Sequence, residues 1–186
     1  MSMMKKMVTI FSAILIVALA AGCNADGTAD KNNSGAENQA ASAQGTGEIA
    51  VGVAAPDITL TAADGSTVSL ASLHKDKPVY VNFWATWCPP CVKEMPDINA
   101  MHAKYGDKIN FVAVSVDEQF SDAQSFMANR QFTVPLYTGD LKQIFTAYHI
   151  EGIPVSLLIG KDGKILFYHI GMMDEQQMET LMKKAV

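Results

Sequence analysis

The stretch that decides the fold is NFWATWCPPC, residues 82–91. It continues an apolar run that begins at Pro78, and residues with helical spacing follow it. Cys88 and Cys91 are two of the three cysteines in the chain. A C-x-x-C pair between a buried strand and a helix places Cys88 at the helix N-terminus and Cys91 in the first turn, close enough to bond each other. The pair is therefore a structural clamp, a metal site or a redox centre.

The pattern around this stretch predicts a parallel crossover. Residues 78–85 and 110–117 are continuous apolar runs, which are typical of strands buried on both faces. Between them, apolar and aromatic residues recur at helical spacing from Cys91 to Gly106, and the glycine is a stop signal. A strand, a helix and a second strand in this order indicate two parallel neighbours in one sheet.

The rest of the folded region supplies further strands and helices. A hairpin is predicted over 57–73 with its turn at Asp64-Gly65, and Asp174 is a predicted N-cap. The remaining predictions are helices over 121–132, 140–150 and 174–186, a short strand over 134–139, and two strands within 153–171. The sequence therefore predicts an α/β domain with a mixed sheet.

Length and charge limit the classes of function. The chain has 186 residues, of which 49% are hydrophobic, so it can bury one core with little room for a second domain. Its formal charge is −5, and Lys and Arg form no run outside the extreme N-terminus. This composition argues against a nucleic-acid partner and favours a protein or a small molecule.

The N-terminus reads as an export signal. Lys5 and Lys6 precede 14 apolar residues over 8–21, fewer than the ~20 that a membrane-spanning helix needs. The small residues before Cys23 resemble a bacterial lipobox, with the expected Leu one place early, and imply that Cys23 is lipidated. We therefore predict a lipoprotein signal peptide over 1–22, a flexible tether over 23–50 and the folded domain over 51–186.

A zinc or iron–sulfur site, a copper site and a permanent disulfide each have less support in the sequence than reversible redox chemistry of the cysteine pair. Zinc or iron–sulfur sites normally need four ligands, and the sequence has no second C-x-x-C and no His pair at ligand spacing. A copper site could use both thiolates with His149 or His169. A permanent disulfide would close a four-residue ring and so constrain little of the unfolded chain.

Reversible dithiol–disulfide chemistry uses what the position offers. Helix N-terminal amides and the helix dipole favour a thiolate at Cys88, and Cys91 is near enough to resolve a mixed disulfide. Pro89 and Pro90 are tolerated there, and they remove backbone donors that would otherwise reach the Cys88 sulfur. The two prolines are therefore expected to affect the redox potential.

A family resemblance adds to this interpretation. FWATWCPPC and the later GIPVSLLIGKDGKI resemble the thioredoxin fold. The hairpin and CVKEMP resemble the TlpA/ResA-type exported, membrane-tethered thiol-disulfide oxidoreductases within the redoxin-like superfamily. The resemblance implies a central mixed β-sheet flanked by helices, an N-terminal β-hairpin extension and an inserted helix in the crossover. It also implies Cys88 as the exposed nucleophile, Cys91 as the resolving thiol and Pro154 as a cis-proline.

Residues near the pair have predicted roles. Glu94 is either a first-turn residue favoured by the helix dipole or, as the family's matching Glu implies, a partly buried proton-exchange partner of Cys91. Asn82 stands where ordinary thioredoxins resemble one another in having a buried Asp. We expect a shallow substrate-binding surface formed by Trp87, Pro89, Pro90, Ile153 and Pro154.

The resemblance implies an extracytoplasmic oxidoreductase that reduces cysteine-containing exported proteins, including apocytochrome c. Its electrons would come from a membrane thiol donor of the DsbD/CcdA kind, with no cofactor beyond the Cys88–Cys91 disulfide and no metal. Two alternatives stay open. The hairpin region also resembles the opening of peroxiredoxins, but Ala85 stands where their Thr precedes the reactive Cys, so peroxide turnover should be poor. A copper-binding chaperone of the same fold would require His149 or His169.

Overall fold

A computed structural model describes residues 49–186. The strands are β1 (Thr59–Ala62), β2 (Thr67–Ser69), β3 (Val79–Trp84), β4 (Asn110–Ser115), β5 (Leu136–Gly139), β6 (Val155–Ile159) and β7 (Ile165–Ile170). The helices are α1 (Leu70–Leu73), α2 (Pro89–Tyr105), α3 (Phe120–Asn129), α4 (Leu141–Ala147) and α5 (Glu175–Ala185). The predicted signal peptide over 1–22, the lipidation of Cys23 and nearly all of the tether over 23–50 lie outside the described residues. The signal peptide, the lipidation, the tether and the domain boundaries are therefore still predictions from the sequence.

The strands form one mixed sheet in the order β2-β1-β5-β4-β3-β6-β7. Strands β3, β4 and β5 are parallel neighbours, while the pairs β1–β2, β1–β5, β3–β6 and β6–β7 are antiparallel. The β1–β2 hairpin extends the sheet through β5, and α3 is inserted in the crossover from β4 to β5. The predicted thioredoxin fold is confirmed, with the hairpin extension and the inserted helix.

Strand β3 lies between β4 and β6 inside the sheet, and all six of its residues are buried. Tyr80 and Trp84 pack in the core cluster that also contains residues of α2, α3 and α5. Val81 and Phe83 pack in the opposite cluster, which includes residues of α4. Since alternate side chains of a strand point to opposite faces, Asn82 lies on the α2 face, where it pairs in register with Ser156 of β6.

Three elements differ from the sequence prediction, and one of them is α3, which is predicted over 121–132 but ends at Asn129. The second arm of the hairpin stops at Ser69, and Leu70 begins the short helix α1. The Asp57 carboxylate accepts hydrogen bonds from Ser69 Oγ and the Ala71 amide, and so favours a helical turn over a continued strand. Helix α4 is shorter than predicted: it ends at Ala147 with Tyr148 as its C-cap, because His149 adopts a φ of 48° that a helix cannot continue through.

Pro96 lies inside α2 without ending it. No helix among residues 49–186 is both long and apolar enough to cross a membrane.

Candidate active site

The cysteine pair lies where β3 gives way to α2. A turn from Ala85 to Cys88 connects the two elements, and the Cys88 amide donates to the Ala85 carbonyl at 3.2 Å. Cys88 is the N-cap residue of α2. Cys88 and Cys91 are bonded as a disulfide. The first two helical positions are prolines, so Cys91 carries the first N–H of the helix, and it donates to Cys88 Sγ at 3.3 Å. This contact strengthens when the sulfur becomes a thiolate.

The pair is more enclosed than the family resemblance implies. Cys88 is 4% exposed and Cys91 is fully buried, so the expected exposed nucleophile is in fact buried in the disulfide form. The physical reason is that Cys88 Sγ is bonded to Cys91 and lies 3.7 Å from the Ile153 carbonyl oxygen. Trp87 beside it is 65% exposed, so this indole forms the open side of the site.

The loop opposite the pair carries a cis peptide bond between Ile153 and Pro154, as the resemblance implies. The Gly171 amide donates to the Pro154 carbonyl at 2.8 Å, so the end of β7 anchors this loop. Cys88 Sγ has no hydrogen to donate while it is in the disulfide, so the 3.7 Å approach to Ile153 becomes a hydrogen bond only in the thiol form.

The predicted substrate-binding residues divide by exposure. Trp87, Pro89 and Pro90 are exposed, Ile153 is half-buried and Pro154 is buried. A partner that approaches the pair therefore meets the indole, the two prolines and Ile153. Pro154 lies beneath them and shapes the loop.

Glu94 is almost completely buried, rather than partly buried as expected, with 1% of its surface exposed. Its Oε1 accepts from Asn82 Nδ2 at 2.9 Å, and its Oε2 accepts from the Met173 amide at 3.0 Å. Burial raises the pKa of Glu94 to about 7, since the two hydrogen bonds only partly offset the loss of hydration, and the nearby Asp97 charge raises it further. A carboxyl group with this pKa can both bind and release a proton near neutral pH.

The hydrogen bonds continue from Glu94 into the sheet. Asn82 Nδ2 also donates to Ser156 Oγ at 3.0 Å, and Ser156 Oγ lies 2.9 Å from the Tyr80 hydroxyl oxygen. The pKa of Tyr80 lies well above its usual value, mainly because the hydroxyl is buried and secondly because of the nearby Glu94 charge. Sequence reasoning identified Asn82 but missed Ser156 and Tyr80. The alternation of β3 could have placed Tyr80 on the same face, whereas Ser156 required the register with β6.

A third missed residue is Asp117, which is 4% exposed just beyond the end of β4. Its carboxylate accepts from the Thr86 hydroxyl at 2.6 Å, from the Thr86 amide at 3.1 Å and from Ser115 Oγ at 2.8 Å. Thr86 lies inside the turn that carries Trp87 and leads to Cys88. Asp117 therefore fixes this turn to the end of the neighbouring strand.

The two alternative functions gain little support from the geometry. Within residues 49–186, no group of three or more His, Cys, Asp or Glu side chains is arranged to hold a metal. His149 is exposed, and His169 stacks on Phe167. The position three before Cys88 is the buried Ala85, which has no hydroxyl, and the hydroxyl of the next residue, Thr86, is bonded to Asp117.

Comparison with known proteins places this geometry in a family. The family described as Redoxin matches residues 50–185. Thiol-disulfide oxidoreductase ResA of Bacillus thuringiensis (strain Al Hakam) is 34% identical over 138 residues, which cover 74% of this chain and 79% of the relative.

Two solved structures are similar over most of their length. One is a thiol:disulfide interchange protein of the thioredoxin family from Chlorobium tepidum TLS, with a TM-score of 0.64, 29% identity, and coverage of 72% of this chain and 95% of that one. The other is the pneumococcal exposed lipoprotein thioredoxin Etrx1 from Streptococcus pneumoniae strain TIGR4, with a TM-score of 0.60, 25% identity, and coverage of 69% and 98%. With a redox-active disulfide at the start of α2, the chain belongs to the Redoxin family as a thiol-disulfide oxidoreductase of the ResA/TlpA type.

Proposed function

We propose that this oxidoreductase works outside the cytoplasm, anchored to the outer face of a bacterial membrane, and reduces disulfides in cysteine-containing exported proteins. Apocytochrome c before haem attachment is the substrate class that the family resemblance favours. A membrane thiol donor of the DsbD/CcdA kind would return electrons to the pair, and no cofactor beyond the Cys88–Cys91 disulfide takes part.

The observation that carries the proposal is the convergence of three features on one disulfide. The pair is held at a helix N-terminus, it lies against the cis-proline loop, and a buried carboxyl group with a pKa near neutrality lies one turn further along the same helix. A structural clamp needs none of these features. Reversible exchange uses all of them, because it requires a stabilised thiolate, a surface for the partner chain and a proton acceptor.

The chemistry follows from these positions. In the reduced enzyme, the Cys88 thiolate attacks one sulfur of a substrate disulfide, and the first substrate thiolate leaves. Cys91 then gives its proton to the Glu94 carboxylate and attacks Cys88 Sγ, which releases the second substrate thiolate and re-forms the Cys88–Cys91 disulfide. Two electrons pass from the enzyme to the substrate, and Glu94 later releases its proton.

The exported, membrane-anchored location has separate support. The N-terminal sequence carries a signal-like apolar run followed by small residues and Cys23. One structural relative is described as an exposed lipoprotein thioredoxin. In a bacterial host, labelling with a fatty-acid analogue should mark the wild-type protein and leave a Cys23→Ser variant unmarked. An unmarked wild-type chain would contradict lipidation.

The direction of electron flow is tested by the reduction potential of the pair. We expect equilibration with dithiothreitol or glutathione to give a value near or below about −270 mV, the potential of thioredoxin. Such a protein holds exported thiols reduced. A value near about −120 mV, typical of strong periplasmic oxidants, would make the protein a disulfide donor and would overturn the proposed substrate class.

A further inference from the structure

The buried amide of Asn82 is bonded on one side only. Its Nδ2 reaches both Glu94 Oε1 and Ser156 Oγ, at 2.9 Å and 3.0 Å. Its Oδ1 has no hydrogen-bond partner among the described residues, although the side chain is fully buried. One end of the amide therefore makes two contacts, and the other end makes none.

This orientation suits only one protonation state of Glu94. Two donors face the carboxyl group, the Asn82 amide at Oε1 and the Met173 backbone N–H at Oε2. Both bonds are favourable when Glu94 is ionised, because a carboxylate only accepts hydrogen bonds. When Glu94 binds a proton, one of its oxygens becomes a donor and faces another donor.

The two donors that face Glu94 differ in whether they can become acceptors. The Met173 partner is a backbone N–H, which cannot become an acceptor. The Asn82 side chain carries a donor and an acceptor at nearly equivalent positions, which a half-turn of the amide exchanges. The proton of neutral Glu94 is therefore best placed on Oε1, the oxygen that faces Asn82.

We propose that Asn82 is a positioning residue whose amide reverses when Glu94 gains or loses a proton, so that the carboxyl group keeps a hydrogen bond to Asn82 in both states. Its functional meaning rests on the proton transfer proposed for Glu94. After reversal, Oδ1 accepts from the Glu94 hydroxyl and from the Ser156 hydroxyl, while Ser156 Oγ accepts from Tyr80. In either orientation, one end of the Asn82 amide has no hydrogen-bond partner. The number of unpaired polar atoms therefore favours neither protonation state of Glu94.

The surroundings of Glu94 fit a switch between two states. Cys91 precedes Glu94 by about one turn of α2, and the charge that acts on Glu94 comes from Asp97 on the same helix. The Glu94 charge in turn raises the pKa of Tyr80 on β3. Strand β6 contributes a hydroxyl, which can donate or accept, and the loop before α5 contributes the fixed Met173 amide. An Asp at position 82 would be a second buried acid facing Glu94 and could not donate when ionised.

Nuclear magnetic resonance of the oxidised protein tests the proposal without any turnover. We expect the Asn82 side-chain amide signals to change with the same midpoint pH as the Glu94 carboxyl carbon, and to lose their contact with Ser156 as Glu94 becomes neutral. In a Glu94→Gln variant, the Asn82 signals should not change with pH. The side chain of Asn99, which accepts from the Thr133 and Val134 amides, serves as an internal control whose signals should not share the Glu94 midpoint, since the titrating group near it is His102, which contacts Thr133. Asn82 signals that do not respond to the Glu94 titration would overturn the proposal.

A variant gives a second, independent readout. Asn82→Leu keeps a similar shape but can neither donate nor accept, so Glu94 loses its bond to residue 82 in both protonation states. Because the bond to the carboxylate is the stronger of the two, the midpoint of Glu94 should rise by about one pH unit. Asn99→Leu is the matched control, and it should leave that midpoint unchanged. An unchanged Glu94 midpoint in Asn82→Leu would contradict the proposal. If the amide reverses but Glu94→Gln exchanges disulfides at the wild-type rate, the proposed proton transfer fails while the reversal stands.

Discussion

Replacing Glu94 with Gln should change how the free energy of unfolding depends on pH. The folded protein raises the pKa of Glu94 from 4.5 to about 7. Below pH 4.5, both the folded and the unfolded chains carry this proton, and the group has no pH-dependent effect. Between pH 4.5 and 7, the folded chain keeps a proton that the unfolded chain has released, so the free energy of unfolding falls as pH rises. Above pH 7, the loss is complete.

The size of this loss follows from the two pKa values. A difference of about 2.5 units at 1.36 kcal/mol per unit gives about 3 kcal/mol. The Gln variant carries no titrating group at this position, and its neutral amide imitates protonated Glu94. The stability of the wild type relative to Glu94→Gln should therefore drop by about 3 kcal/mol between pH 4 and pH 8.

Urea unfolding of the oxidised proteins, followed by circular dichroism at intervals of half a pH unit, measures this difference. Glu151→Gln is the matched control. Because Glu151 is exposed, the free energy of unfolding of this variant relative to the wild type should change little with pH. If the difference in free energy of unfolding between the wild type and Glu94→Gln did not change with pH, the reasoning that burial raises the pKa of this carboxyl group would be refuted. A difference that grew with pH would reverse the sign and refute it as well.

Three further variants test the surroundings of the pair. Asp117→Ala leaves the Thr86 amide and hydroxyl without their acceptor, so we expect a loss of about 2–3 kcal/mol in urea unfolding, whereas a loss below 0.5 kcal/mol would contradict its role in holding the turn. Asp174→Ala removes the capping box of α5 and should cost about 1 kcal/mol by thermal unfolding, and no measurable change would speak against this cap. Trp87→Ala should leave the free energy of unfolding within about 0.5 kcal/mol, since the indole is exposed, but slow the reduction of a protein disulfide roughly tenfold. Equal rates for both proteins would remove the indole from the substrate surface.

The parts of the fold that sequence alone predicted are those set by local pattern. The apolar run of β3, interrupted only by Asn82, predicts a buried strand, and the glycine after α2 predicts a helix end; both lie where the patterns predict them. The position of Cys88 as the N-cap also follows from local spacing, because the prolines after it fit the first two helical positions.

The parts that sequence could not predict depend on contacts between distant segments. Ser156 reaches Asn82 because β3 and β6 pair in one register, and no local pattern specifies that register. Asp117 reads as an ordinary strand-end residue until the turn at Thr86 folds against it. The burial of Glu94 was underestimated for the same reason, since its second partner, the Met173 amide, lies on a loop 79 residues further along the chain.

The central claim, that Cys88 attacks and Cys91 resolves, is tested most directly by trapping the mixed disulfide. A Cys91→Ser variant mixed with a disulfide-bonded peptide should accumulate a covalent adduct at Cys88, visible by intact mass and mapped by proteolysis under non-reducing conditions. Cys88→Ser should form no adduct and lose exchange activity. An adduct at Cys91, or full exchange activity in Cys88→Ser, would contradict the assigned roles.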